Sequence, residues 1–156
     1  MFKNILVAID GSDCSSNAVP TAIEVARRFH AKVHVLHVHE HDRGRASAFP
    51  LVTKENADQL VADAIGIVKA AGIDVRGEVR IGFIGQIPER IVEVAKEQDT
   101  DLIVMGSRGL SDLAGVFLGS VTHGVIRLAD AAVLIDRSPH LTELVQVGGK
   151  GTSAAA

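Results

Sequence analysis

Short apolar runs alternate with longer amphipathic segments along this chain, and that alternation limits the fold more than any other feature. Ile5–Ile9 is a buried-strand run that stops at the polar turn Asp10-Gly11-Ser12-Asp13. Lys32–Val38 reads as a second strand, Asp74–Ile81 as a third, Leu102–Met105 as a fourth and Ala132–Ile135 as the last. Between them, apolar residues recur at helical spacing: Ala18, Ala22, Val25, Ala26 and Phe29, then Ala57, Leu60, Val61, Ala64, Ile65 and Val68. Ile87, Ile91, Val92 and Ala95 mark a third helix with Pro88 at its first turn, and Val121, Val125, Leu128 and Ala129 a fourth. Parallel strands need crossovers of a dozen or more residues, usually helical. The pattern therefore predicts an open α/β domain, Rossmann-like, with helices on both faces of a parallel sheet.

Local signals place the boundaries less firmly. Ser15 or Ser16 is a candidate N-cap for the first helix, and Pro20 argues for a helix starting a little later than the apolar spacing suggests. Gly72 is placed to end the second helix, and Gly82 and Gly85 to loosen the chain before the third. Residues from about His39 to Pro50 read as loop.

Composition narrows the function. The 156 residues fit one domain. Aromatics make up 3%, with no Trp or Tyr, so base stacking is excluded as the main binding device. A net charge of −3 gives no basic excess for nucleic acid or an anionic membrane. The longest stretch without Asp, Glu, Lys or Arg, Leu113–Ile126, is shorter than the roughly 20 residues of a membrane span. A single cysteine, Cys14, fits a reducing, cytoplasmic setting. From Ser138 the chain turns polar and glycine-rich, which divides it into a domain over 1–137 and a flexible tail over 138–156.

One stretch carries chemistry. Gly106-Ser107-Arg108-Gly109 is followed, nine residues later, by Gly119-Ser120, leaving a predicted strand and entering a predicted helix. Glycines let backbone N–H groups approach an anion, and a helix N-terminus with a Ser120 cap favours phosphate. Neither the Walker A pattern nor Gly-x-Gly-x-x-Gly is present, so spacing alone leaves phosphate loop and structural loop open. Asp10 ends the first strand on the same carboxyl edge, where open α/β sheets bind ligands. A carboxylate there can accept ribose hydroxyls, or it can simply cap the Gly11-Ser12 turn.

Several motifs together resemble the universal stress protein family. They are Ile5–Ser12, Leu36-His37-Val38, Gly85-x-x-Pro88 and Asp101–Ser111. The spacing Gly-x2-Gly-x9-Gly-Ser is similar to that of the family's ATP-binding branch, and the resemblance runs from Phe2 to about Arg137. It implies a five-stranded sheet in the order 3-2-1-4-5 and a homodimer through the last strand, with Asp136 at the rim of that contact. It also implies a nucleotide site. Ala8, Ile9 and Asp10 would line the adenosine side, Val38 would meet adenine through its backbone, and Met105 and Gly106 would flank the ribose. Arg108, Gly109, Gly119, Ser120 and Val121 would hold the phosphates, with Mg2+ (or Mn2+) accompanying ATP.

The function this implies is reversible ATP binding by a stress-response sensor or regulator. The loop has no lysine, and beyond Asp10, already assigned to ribose, no obvious water-activating carboxylate stands out, so dedicated catalysis is not expected. Slow hydrolysis, or a dimeric module binding another adenine nucleotide such as cyclic AMP, are the alternatives. His37, His39 and His41 alternate and would share a face if extended, but a strand ending near Val38 argues against a metal site. His34 is expected as a hydrogen-bonded core residue, and His123 as a solvent-facing one.

Overall fold

A computed structural model describes residues 1–41, 53–107 and 118–137. Within them the elements run β1 (Asn4–Ala8), α1 (Asp13–Phe29), β2 (Lys32–His41), α2 (Lys54–Ala70), β3 (Val75–Phe83), α3 (Ile87–Glu97), β4 (Leu102–Gly106), α4 (Ser120–Leu128) and β5 (Ala132–Asp136). All neighbouring strands are parallel and the sheet order is β3-β2-β1-β4-β5, as the family resemblance implies. The expected tail over 138–156 and the loop from residue 42 lie outside the described residues.

Strand parity sorts the apolar runs into two cores. Ile5, Val7, Val33, Val35 and Val104 face α1 and α2, where Ala18, Ala22, Val61 and Val68 meet them. Leu6, Ala8, Leu36, Ile103 and Met105 face α3 and α4, against Ile91, Val94, Ala95 and Val125. Continuous apolar runs are what a strand buried on both faces requires. Because β1 pairs with β2 on one side and β4 on the other, strand order reverses between β1 and β4. The crevice at their carboxyl ends is the place where such folds bind ligands.

Several local expectations need correcting. The N-cap of α1 is Ser12, not Ser15 or Ser16: its hydroxyl accepts from the Ser15 N–H, and the helix starts at Asp13. Pro20 sits inside that helix on its exposed side, where water can take the Ser16 carbonyl that loses its partner. Strand β2 runs on to His41 rather than ending near Val38. Its partner β3 also continues, pairing His39 with Ile81 and His41 with Phe83, so the backbone ladder holds both extended. Gly82 accordingly lies within β3, and a Cβ there would meet Val38 at 2.5 Å and Ile87 at 2.9 Å, so bareness lets α3 pack down.

Two more concern β5 and α4. Asp136 is buried and its carboxylate accepts from the Thr21 hydroxyl of α1, so it turns inward rather than standing at an edge rim. Helix α4 is N-capped by Gly119 and not by Ser120, which is its first, exposed residue.

Two buried histidines make stability depend on pH. His34 lies 3.1 Å from Glu78 through Nε2, but neither ring nitrogen finds a well-aligned hydrogen bond. It is a core residue as expected, set beside the Glu78 carboxylate rather than in a well-aligned hydrogen bond. Burial lowers its pKa from 6.5 despite Glu78, with Arg76 and Arg80 adding to the decrease. His37 is likewise lowered by burial, against the opposing pull of its bond to Ile9 and of Asp10, while His39 adds to the lowering. Well above pH 6.5 both states leave these rings neutral, so they contribute no slope there. Below it the unfolded chain takes up protons that the folded chain resists, and stability falls. The thermal midpoint should therefore drop between about pH 7 and pH 5.5, and drop less in a His34→Gln variant. Equal slopes in parent and variant would remove His34 from this account.

Candidate nucleotide site

The carboxyl ends of β1 and β4 face a cavity closed on the other side by the amino ends of α3 and α4. Ala8 and Met105, partners across the β1–β4 ladder, form its floor with Leu36 and Val38. Ile87 and Ile91 of α3 supply an apolar wall. Ile9, Asp10 and Gly106 stand at the strand ends, and Gly119, Ser120 and Val121 at the start of α4. Nine of the residues singled out from sequence thus line one cavity, while Arg108 and Gly109 lie outside the described residues. Apolar floor and wall with a few polar groups at the rim suit a flat, partly apolar ligand with a polar tail.

Asp10 is held by its own turn. Its Oδ1 accepts from the Ser12 N–H at 2.9 Å and from the Ser12 hydroxyl at 2.6 Å. The Ser15 hydroxyl accepts from the Asp10 N–H at 3.2 Å and donates to the Ser12 carbonyl at 3.0 Å. The turn-capping role is therefore real, and the same bonds fix where the carboxylate sits. Gly11 follows at φ +84°, a conformation that favours glycine and lets the chain reverse into α1. Behind this turn, the buried His37 places Nδ1 2.9 Å from the Ile9 carbonyl. A carbonyl only accepts, so Nδ1 carries the proton.

The other rim is built by β4 and α4. The Gly119 N–H donates to the Ser107 carbonyl at 2.8 Å, and the Thr122 hydroxyl to the Gly106 carbonyl at 3.0 Å. Among the described residues no side-chain hydrogen bond caps α4. Its first turn therefore presents backbone N–H groups and the positive end of the helix dipole to the cavity. Gly106 is also pressed from the opposite face: a Cβ there would lie 2.6 Å from the Cys14 carbonyl oxygen and 2.9 Å from the Ser15 nitrogen.

Sequence reasoning missed Ser12, Ser15, Thr122 and the isoleucine wall of α3. Ser12 had a legible signal, a serine directly before an acidic first turn. Thr122 had none, since its partner lies on another element.

A wider groove of about 470 Å³ opens at the amino ends of β4 and β5, beside Lys96, Asp99, Asp101 and Asp130. Three carboxylates and the carbonyl ends of α3 and α4 make it hostile to phosphate. Electrostatics thus favours the β1–β4 cavity. His37 and His39 do share a face on the extended β2, with ring centroids 6.3 Å apart. Among the described residues, however, no three His, Cys, Asp or Glu side chains are grouped to hold a metal ion.

The model of the universal stress protein family matches residues 1–137. The chain belongs to the universal stress protein family. Universal stress protein YxiE of Bacillus subtilis is 35% identical over 149 residues, spanning 88% of this chain and all of that protein. Among solved structures, a universal stress protein in complex with cAMP is 29% identical, with a TM-score of 0.68, covering 88% of this chain and 99% of its own. One from Archaeoglobus fulgidus in complex with dAMP is 26% identical, with a TM-score of 0.64, covering 86% and 97%. The fold of this universal stress protein is thus shared along nearly the whole length of its relatives.

Proposed function

We propose that this universal stress protein binds ATP reversibly in the β1–β4 cavity and acts as a nucleotide-dependent regulator of a cytoplasmic stress response. The observation that carries the reading is the convergence, around one cavity, of an apolar slot, an oriented carboxylate and a helix N-terminus without a side-chain cap. Adenine fits between Val38 and the α3 wall, ribose hydroxyls donate to Asp10, and phosphates meet Gly119, Ser120 and Val121. Arg108 and Gly109, which lie outside the described residues, are assigned to the phosphate side on the family resemblance alone. The relatives solved with cAMP and dAMP support an adenine nucleotide as the ligand class.

Asp10 is the one carboxylate lining the cavity among the described residues, and Ser12 engages it. Mg2+ or Mn2+ therefore enters with the triphosphate rather than on a protein ligand set. The same scarcity of bases argues for binding without efficient hydrolysis. The cAMP-bound relative favours a second reading, with cyclic AMP as the ligand. Competition between ATP and cAMP in one calorimetric titration series separates the two.

Removing the charge of Asp10 tests the ribose contact. Asp10→Asn should weaken ATP binding by about 1.5–3 kcal/mol, the range for a hydrogen bond to a charged acceptor. The preference for ATP over 2′-deoxy-ATP, which keeps only one of the two hydroxyls, should shrink in parallel. Equal affinity of the parent for both nucleotides would sink the ribose assignment.

We further propose a homodimer through β5. This edge strand leaves Ala132 exposed and Val133, Leu134 and Ile135 half-covered. An unpaired apolar edge invites pairing, and the Asp136 carboxylate is turned onto Thr21 of α1 rather than toward that edge. Light scattering at micromolar concentration should return twice the chain mass of 16.4 kDa, and a monomer there contradicts the proposal.

A further inference from the structure

We infer that Thr122 is a positioning residue for phosphate binding: its hydroxyl, tied to the Gly106 carbonyl, sets the place of the α4 N-terminus over the cavity. This rests on the nucleotide reading above. Thr122 is 3% exposed and donates to Gly106 O at 3.0 Å across 16 residues of sequence. With Gly119 as N-cap, Thr122 occupies the third position of the helix. In a self-capped helix, the residue at that position turns its side chain back to the N-cap backbone. Thr122 instead turns its hydroxyl outward to a strand, and the N-cap residue has no side chain at all.

Two hydrogen bonds then hold the helix start to the sheet, Thr122 to Gly106 and Gly119 N–H to the Ser107 carbonyl at 2.8 Å. The acceptor strand is itself fixed. Gly106 pairs with Asp136 in β5, the Ser107 N–H donates to the Asp136 carbonyl at 2.9 Å, and the first turn of α1 lies against the Gly106 Cα. The clamp therefore transmits the position of a rigid edge to the N–H groups that face the phosphates. Adenosine, which lacks phosphates, does not feel it. Preorganised donors bind more tightly because no ordering remains to be done on association.

The test compares the parent with Thr122→Val, which keeps shape and removes the donor, and Thr122→Ser, which restores it. Affinity for ATP and for adenosine is measured by calorimetry, and amide hydrogen exchange of Ser120–Thr122 is followed without ligand. Thr122→Val should lose about tenfold in ATP affinity with adenosine affinity nearly unchanged, and its α4 amides should exchange faster. Thr122→Ser should recover most of both. Equal loss for the two ligands, or unchanged exchange, overturns the clamp. A parent that fails to bind ATP overturns the nucleotide reading instead, while the exchange data still judge the clamp. Should Thr122→Val not fold, Thr122→Ala takes its place under the same criteria.

Discussion

Replacing Gly106 by valine will loosen α1 from the sheet and lower the thermal midpoint by roughly 10 °C. The Cβ alone would come within 2.6 Å of the Cys14 oxygen, 2.7 Å of the Cys14 carbonyl carbon and 2.9 Å of the Ser15 nitrogen. These are backbone atoms in the first turn of a helix, so no side chain can rotate away to make room. Overpacking of this kind costs about 1–3 kcal/mol, and a contact with backbone on a buried strand belongs at the upper end. The site suffers as well, because Ser12 and Ser15, which orient Asp10, belong to the displaced turn. Gly66→Ala is the natural contrast. Gly66 is exposed on α2 with nothing within 4 Å of its added Cβ, and that change should stabilise by about 1 kcal/mol. Thermal unfolding followed by circular dichroism checks both. A parent-like midpoint for Gly106→Val contradicts the close packing of α1 on β4.

Gly119→Val should leave the fold nearly intact and reduce ATP affinity by a hundredfold or more. Gly119 has φ −66° and ψ 154°, extended backbone that any residue adopts, so strain does not explain the glycine. Its burial in the cavity lining does. A valine side chain there stands where a phosphate approaches the first-turn N–H groups, and loss of those charge-assisted bonds accounts for the size of the effect. The change at the N-cap itself costs only about 1 kcal/mol of stability. Adenosine affinity should fall much less. Calorimetry on the folded variant reads both, and parent-like binding of ATP would make the loop structural.

Much of this architecture is written in the chain, and the misses have physical causes. Leu6, Leu36 and Ile103 alternate with Val7, Val35 and Val104 across the two faces, and such parity is readable from spacing. Strand order came from family resemblance, since apolar runs alone do not choose their neighbours. The ends of β2 and β3 were not legible, because His39, Glu40 and Gly82 look like loop until each strand is seen to satisfy the other's backbone. Ser15 and Ser16 suit an N-cap by type, but the Asp10 turn places Ser12 there instead. Gly106 reads from sequence only as a loop glycine open to a ligand. That α1 packs on it is a tertiary fact with no local sign.

The central claim is that an adenine nucleotide occupies the β1–β4 cavity with its phosphates on α4. The most direct measurement is an ATP titration of the uniformly 15N-labelled protein, followed by amide chemical shifts. Saturating shifts are predicted at Ala8–Asp10, Val38, Met105–Ser107 and Gly119–Thr122, with adenosine moving the first three groups and sparing the last. Shifts confined to the groove beside Lys96 and Asp130, or no saturating shifts at all, would contradict it.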